Sequence, residues 1–305
     1  MTPKTWINPP SGALGTINAV LTGTARSYYV PEFEGSLSIK TVVSGSGVWR
    51  VGGRTLVLRD DCFLVLNDRQ RYTLTIESPQ PTTTFCLFFA RGFVEEAWRT
   101  AITPCLKLLD EEGAGPREAC PEFFERVEIH PNATLPSLRR FYHLISTGKV
   151  TRAQSAEKFL GVATELVGAQ RDVLRRAARI PAARQSTRQE LCKRLLRGRD
   201  FLLSFWDHPL NLQEIARQAC LSPYHFHRSF TQFFGQTPHD FIVEYRLARA
   251  ATQLRHTRRS VTDLCSYCGF ESLPSFSSLF SRRYGMSPRD YRRAEARDFT
   301  IRKIG

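Results

Sequence analysis

One pattern of about 30 residues is written twice near the C-terminus, and this repeat constrains the fold more than any other feature. The first copy runs Leu212-Gln-Glu-Ile-Ala-Arg-Gln-Ala-Cys-Leu-Ser-Pro-Tyr-His-Phe-His-Arg-Ser-Phe230, followed by Gly235-Gln-Thr-Pro238 and Phe241. The second runs Val261-Thr-Asp-Leu-Cys-Ser-Tyr-Cys-Gly-Phe-Glu-Ser-Leu-Pro-Ser-Phe-Ser-Ser-Leu-Phe280, followed by Gly285-Met-Ser-Pro288 and Tyr291. The offset is about 50 residues, with a slip of one in the middle.

Each copy predicts a helix-turn-helix. Asn211 ahead of Leu212-Gln-Glu214, and Ser260 ahead of Val261-Thr-Asp263, put a side-chain acceptor at an N-cap and an acid three residues on. Those groups satisfy free N–H donors of a first helical turn. Leu212, Ile215, Ala216 and Ala219 then share one apolar face, matched by Val261, Leu264, Cys265 and Cys268. A sharp turn is expected at Cys220-Leu221 and at Gly269-Phe270, where the glycine can take a left-handed conformation. The next helix begins at Ser222-Pro223 in copy one and at Ser272 in copy two, with Pro274 still in the first turn. Phe226, Phe230 and Phe233 are expected inside in copy one, and Phe276, Phe280 and Tyr284 in copy two. The outward residues are then Tyr224, His227, Arg228, Thr231 and Gln232, and Ser275, Ser278, Ser281 and Arg282. A helix-turn-helix lays such a face in the major groove.

The spacing between copies adds a geometric argument. A helix from Thr237-Pro238 to near His256 has about 20 residues and a length of about 30 Å. DNA repeats every 34 Å or about that, so one connecting helix could set two recognition helices a turn apart. Charge agrees: the chain of 305 residues carries a formal +14, and Ser186 to Gly305 holds 20 Lys/Arg against 11 Asp/Glu. A basic domain suits a polyanion partner. The competing reading is a structural helical repeat with a merely basic surface.

The region resembles the AraC/XylS family of bacterial transcription regulators. The resemblance is carried by Leu212-x-x-Ile-Ala-x-x-Ala-x-x-Ser222-Pro, Phe230 to Gly235-x-Thr-Pro238, Arg246-Leu-x-x-Ala250, and Cys268-Gly-Phe-x-Ser272 through Phe280-x-Arg-Arg-Tyr-Gly-Met-Ser-Pro-Arg-Asp-Tyr291. It implies a DNA-binding domain of seven helices that uses both motifs, with base contacts from the early turns of each second helix. On this sequence those positions are Tyr224, His227 and Arg228 in copy one, and Leu273, Pro274, Ser275 and Ser278 in copy two. The second set has no Gln or Arg, and Leu or Pro offers a base only apolar contact. Copy one is therefore expected to read bases, while copy two docks on phosphates. Ser222, Ser272 and Arg282 are the phosphate-contact candidates.

Upstream, residues 27 to 90 read as strands. Ser36-Leu-Ser-Ile-Lys-Thr-Val-Val alternates polar and apolar residues, and Val48-Trp-Arg-Val with Arg54-Thr-Leu-Val-Leu flanks a Gly52-Gly53 hairpin turn. Cys62 to Leu66, Tyr72 to Ile76 and Thr84 to Phe89 follow, a spacing that suggests a sandwich or jelly-roll barrel. The phrase Asp61 to Asn67, Gln70 to Ile76, Phe85 to Phe93 also looks like the cupin-like barrel of the same family, which implies a small effector or an oligomerisation role. Trp49, Arg50, Tyr72 and Phe88 are the ligand-pocket candidates, with core or surface aromatics as the plainer reading. From Leu135 the pattern turns helical, with an amphipathic stretch over Arg152 to Ile180 that either packs on the barrel or makes a dimer.

The expected fold class is an α+β multidomain chain: an N-terminal cupin-like β-barrel over 1–130, a helical connector over 131–186, and an all-α C-terminal domain with two helix-turn-helix motifs over 187–295. The function expected is sequence-specific DNA-binding transcription regulation controlled by a small ligand in the barrel. The alternative is a barrel enzyme fused to a DNA-binding domain. Expected partners are double-stranded DNA, RNA polymerase, a small-molecule effector and a second copy of the chain in a homodimer. No apolar run reaches the length of a membrane span or signal core, so a cytoplasmic location is expected. No catalytic residue, metal or cofactor is assigned: the barrel segment lacks His, the first being His130, and the eight cysteines form no disulfide-like framework. Cys265-x-x-Cys268 has zinc-like spacing but falls on a buried helix face, and the acids Glu95-Glu96 and Asp110-Glu-Glu112 read as solvated.

Overall fold

A computed structural model describes residues 6–60, 62–102, 122–129, 136–148, 150–181 and 184–294. The chain divides into two compact units, Met1–Lys193 and Arg194–Gly305.

Among the described residues the first unit is built on seven antiparallel strands: β1 (Ala19–Glu34), β2 (Ser38–Ser44), β3 (Ser46–Val51), β4 (Arg54–Arg59), β5 (Cys62–Leu66), β6 (Arg71–Phe88) and β7 (Val127–Ile129). They run in the order β4-β3-β6-β2-β5-β7, with β1 on the other edge of β6, and curl into a nearly closed barrel. The Gly52-Gly53 turn forms as expected. Both glycines have positive φ, 53° and 76°, which the tight β3–β4 hairpin needs and an L side chain resists. The strands begin earlier than position 27, at Ala19, because β1 pairs along β6 from Ala19↔Phe88 to Glu34↔Arg71. The segments Tyr72–Ile76 and Thr84–Phe88 are two ends of the single strand β6. Pro79 and Pro81 sit where the β1–β6 register shifts, between Ser27↔Glu77 and Ala25↔Thr82, so neither has to supply a ladder N–H.

Among the described residues, three helices, α1 (Phe93–Ile102), α2 (Pro136–Ser146) and α3 (Arg152–Ala178), cover the outer face of this barrel. Ile39, Phe63, Val65, Phe85 and Leu87 from the strands share one core with Val94 and Trp98 of α1, Leu138 and Phe141 of α2, and Phe159, Val162, Ala163 and Leu166 of α3. The Phe85, Phe141 and Phe159 rings meet edge to face, at 6.0 Å and 5.1 Å between centroids. Such contacts add to the burial of large aromatic surfaces. Strands covered on one side by helices and closed on the other into a barrel are buried on both faces. This explains why all five residues of β5 are buried.

The second unit takes α4 (Gln185–Ser204) from Arg194 onward, then α5 (Leu212–Gln218), α6 (Pro223–Phe234), α7 (Pro238–His256), α8 (Val261–Tyr267), α9 (Leu273–Tyr284) and a last helical stretch over 288–294. Among the described residues, no helix is long and apolar enough to cross a membrane.

Candidate functional site

The two copies fold alike because their local signals are alike. Asn211 accepts from the Glu214 N–H at 2.8 Å, and Ser260 from the Asp263 N–H at 3.0 Å. Both first helices end in the same reverse turn. The Leu221 N–H donates to Ala216 O and the Cys220 N–H to Arg217 O, as Phe270 does to Cys265 and Gly269 to Ser266, all at 3.0 Å. Ser222 then accepts from the His225 N–H and Ser272 from the Ser275 N–H, each at 3.3 Å, to start α6 and α9. Each second helix stops at a left-handed glycine, Gly235 or Gly285.

The inner rings keep an offset of 50 throughout. Phe226, Phe230, Phe234 and Phe241 in copy one stand where Phe276, Phe280, Tyr284 and Tyr291 stand in copy two. Phe230 lies 4.4 Å from Phe234, and Phe280 lies 4.5 Å from Tyr284. The expected third inward ring, Phe233, is corrected to Phe234. Four-residue spacing from Phe230 carries Phe234 onto the ring of Phe241, whereas among the described residues the ring of Phe233 meets that of Phe234 and not those of Phe230 or Phe241.

One difference between the copies is strained. The reverse turn needs a left-handed residue, which is Gly269 (φ 72°) in copy two but Cys220 (φ 53°) in copy one. A side chain there costs about 1–2 kcal/mol. Cys220→Gly is expected to raise stability by about 1 kcal/mol. Gly269→Ala is expected to lower it by about 2 kcal/mol or more, since its Cβ would sit 3.0 Å from the Arg246 guanidinium and 3.1 Å from Trp206 O. Urea midpoints of the two variants moving the same way would contradict this.

A hub joins the copies. Trp206, buried to 1%, packs edge-on against Tyr245 of α7 and Tyr267 of α8, both at 5.8 Å, with the Arg249 guanidinium over its ring. Arg246 of α7 donates from Nε to Trp206 O at 2.6 Å and from Nη2 to His208 O at 2.7 Å, and its guanidinium abuts Gly269. The connecting helix α7 is 19 residues long.

What remains outside is the candidate nucleic-acid face. Tyr224 is 76% exposed, and His227 and Arg228 are exposed beside it on α6. Leu273, Pro274, Ser275 and Ser278 are exposed on α9, as are Ser222, Ser272 and Arg282. Among the described residues neither Arg228 nor Arg282 has an acidic partner. By contrast, Arg283 is paired with Glu244 at 2.7 Å, and that hydrogen bond holds its guanidinium pKa above the ordinary value. The oxygens of Ser222 and Ser272 accept backbone N–H groups, which leaves each hydroxyl hydrogen free to donate to a phosphate. Thr231 and Ser281 are half-buried.

The barrel interior is the second place where chemistry collects. Trp49, Tyr72 and Phe88 are buried there, whereas Arg50 is exposed on the outer side, because neighbouring residues of a strand point to opposite faces. At their centre is Lys40, 1% exposed. Its Nζ donates to the Tyr72 hydroxyl at 3.0 Å and lies 3.5 Å from the centroid of the Phe88 ring. Burial lowers the Lys40 pKa to about 7, against a smaller upward pull from Cys86, and burial raises the Tyr72 phenol and the Cys86 thiol. Ser38 Oγ and Trp49 Nε1 are buried with no hydrogen-bond partner among the described residues.

Residues 215–294 match the family described as "Helix-turn-helix domain". The HTH-type transcriptional activator RhaS of Escherichia coli O157:H7 is 41% identical over 96 residues, 30% of this chain and 34% of that protein. The HTH-type transcriptional regulator ArgR of Pseudomonas aeruginosa is 36% identical over 86 residues, 28% of this chain and 26% of that protein. A solved transcriptional regulator from Chromobacterium violaceum, of the AraC-type DNA-binding domain-containing proteins, is 30% identical, covering 34% of this chain and 92% of that one with a TM-score of 0.32. The C-terminal unit is thus similar to the DNA-binding domains of AraC-type transcription regulators. The chain thus spans about a third or less of the length of these curated relatives.

In the barrel the notable residue is one that sequence reasoning missed. Lys40 lies in the alternating run Ser36 to Val43, and alternation alone groups it with Ser36 and Ser38 on a polar side. The only signal available was that a later strand, Cys62 to Leu66, is apolar at every position, as a strand buried on both faces must be. The spacing of Cys265 and Cys268 marks core packing. Both are buried, and burial raises both thiols, Cys268 to about 12, so neither is a thiolate at neutral pH. Glu95 and Glu96 are exposed on α1, while Asp110 to Glu112, Asp61 and His130 lie outside the described residues.

Proposed function

We propose that this chain is a sequence-specific, DNA-binding transcription regulator whose N-terminal barrel takes a small effector. The observation that carries this reading is the pair of helix-turn-helix motifs capped at matching positions, locked by one hub and presenting exposed polar and cationic faces in a basic unit. The organisation proposed is an effector or oligomerisation domain over 1–130, a helical segment over 131–186 and a DNA-binding domain over 187–295. A homodimer through the helical segment is part of the proposal, supported by Leu160 of α3, a large apolar side chain left 53% exposed. RNA polymerase is the proposed protein partner and the cytoplasm the proposed location. No catalytic group is assigned.

The two motifs divide the work. Tyr224, His227 and Arg228 can donate to and stack against base edges, and one good Arg–guanine pair is worth about 1–3 kcal/mol of discrimination. On α9, Ser272 and Arg282 are ten residues apart, about 15 Å along a helix. The major groove is about 12 Å wide, so the two can meet phosphates on opposite walls while Leu273, Pro274, Ser275 and Ser278 give apolar and short polar contacts. Arg228→Ala is expected to relax sequence preference at one or two positions of a selected site. Arg282→Ala should weaken binding evenly across sequences and lower the salt slope by about one. Selection of bound sequences from a random duplex pool, with salt titrations on the winners, measures both. Equal loss of preference in the two variants would refute the division, and wild-type selection of no motif would refute the regulator reading. Turnover of a small substrate by the full chain, lost on changing barrel residues, would favour the enzyme alternative.

A further inference from the structure

The buried lysine of the barrel is chemically unlike the other described lysines, Lys158 and Lys193. Lys40 is fully enclosed, has the Tyr72 hydroxyl as its only hydrogen-bond partner among the described residues, and rests against the face of Phe88. Among the described residues no carboxylate pairs with it, and the titratable groups that face it, Tyr72 and Cys86 of β6, are both kept neutral by burial. An ammonium ion without a counter-charge is costly in such a place, and the group responds by giving up its proton. The same interior holds two further polar groups without partners among the described residues, Ser38 Oγ and Trp49 Nε1. Tyr72 and Cys86 keep 7% and 8% exposure, so the interior beside Lys40 has an edge that meets solvent.

We propose that Lys40 is a nucleophilic amine that captures a small aldehyde or ketone inside the barrel as an imine. A neutral, desolvated lysine is the form that reacts with carbonyl compounds. The Nζ lone pair adds to the carbonyl carbon. A proton passes from nitrogen to the carbonyl oxygen by way of the Tyr72 hydroxyl, which already lies 3.0 Å from Nζ. Loss of water then leaves the C=N bond. Nothing is oxidised or reduced, and water is the only leaving group. Ser38 and Trp49 are donors suited to a further oxygen of the ligand. This assignment rests on the proposal that the barrel takes an effector, and it names that effector's chemical class.

The test treats the full-length protein with butanal or benzaldehyde at pH 7, traps imines with cyanoborohydride, and locates the label by peptide mass spectrometry. Lys40 is expected to be labelled at least tenfold faster than Lys158 and Lys193, with a rate that climbs through about pH 7. Tyr72→Phe should slow labelling at Lys40, and Lys40→Met should abolish it there while leaving the other lysines unchanged. Labelling of Lys40 no faster than that of Lys158 and Lys193 overturns the inference. DNA affinity is then measured on labelled and unlabelled protein. Label at Lys40 without a change in DNA affinity refutes effector control while leaving the Lys40 chemistry standing. An absence of label refutes the chemistry alone.

Discussion

Replacing Trp206 with alanine is expected to destabilise the C-terminal unit by about 3–5 kcal/mol, the usual cost of emptying a buried tryptophan site. The effect should reach both helix-turn-helix motifs at once. The indole is the shared wall between Tyr245 on the connecting helix and Tyr267 at the end of α8, and the backbone carbonyl of the same residue anchors Arg246. Urea denaturation of the full chain, followed by hydrogen exchange over α5–α6 and α8–α9, reports it. Protection should fall in both copies together. Loss confined to one copy would show that the hub does not couple them. Trp206→Phe should recover part of the stability, since a smaller ring still fills much of the site.

The second large effect is a pH dependence placed in the barrel. Lys40 has its pKa lowered to about 7 by burial, against an ordinary value of 10.5. Between those values the unfolded chain binds more protons than the folded one, so folding stability rises with pH. The cost of protonating Lys40 in the fold is present in full below about pH 7 and is gone above about pH 10.5. Each pKa step is worth about 1.4 kcal/mol, which makes that cost about 4–5 kcal/mol. Lys40→Met, close in volume and without charge, is therefore expected to stabilise the N-terminal unit by several kcal/mol at pH 6, with the gain shrinking steadily toward pH 10. Urea unfolding of both proteins across that range gives the difference directly. Parallel stability curves would mean that Lys40 keeps an ordinary pKa.

Much of the C-terminal unit was legible because its signals are local. A cap acceptor with an acid three residues on, Pro in the first turn and rings four residues apart act within one or two turns of helix. Their meaning does not depend on the rest of the fold. The slip from Phe234 to Phe233 marks the limit of that kind of reasoning: adjacent aromatics at a helix end are separated only by whether Phe241 comes back to meet one of them. Gly198 is similar. Nothing in its helical stretch asks for glycine, yet a Cβ there would lie 2.4 Å from the Phe226 ring, so α4 could not approach α6 with any side chain at that point.

By itself, then, the sequence determined that two capped helix-turn-helix motifs exist, where each begins and turns, and that a strand-rich region precedes them. Tertiary structure alone decided which side of those strands is interior. The alternation Ser38, Lys40, Val42 describes two sides of β2 but cannot say that both are covered, one by α1, α2 and α3 and the other by barrel closure. Burial is a property of what folds over a residue from elsewhere in the chain. For that reason a lysine that reads as a surface charge became the buried amine beside Tyr72, and a tryptophan between helices became the joint of the two helix-turn-helix motifs.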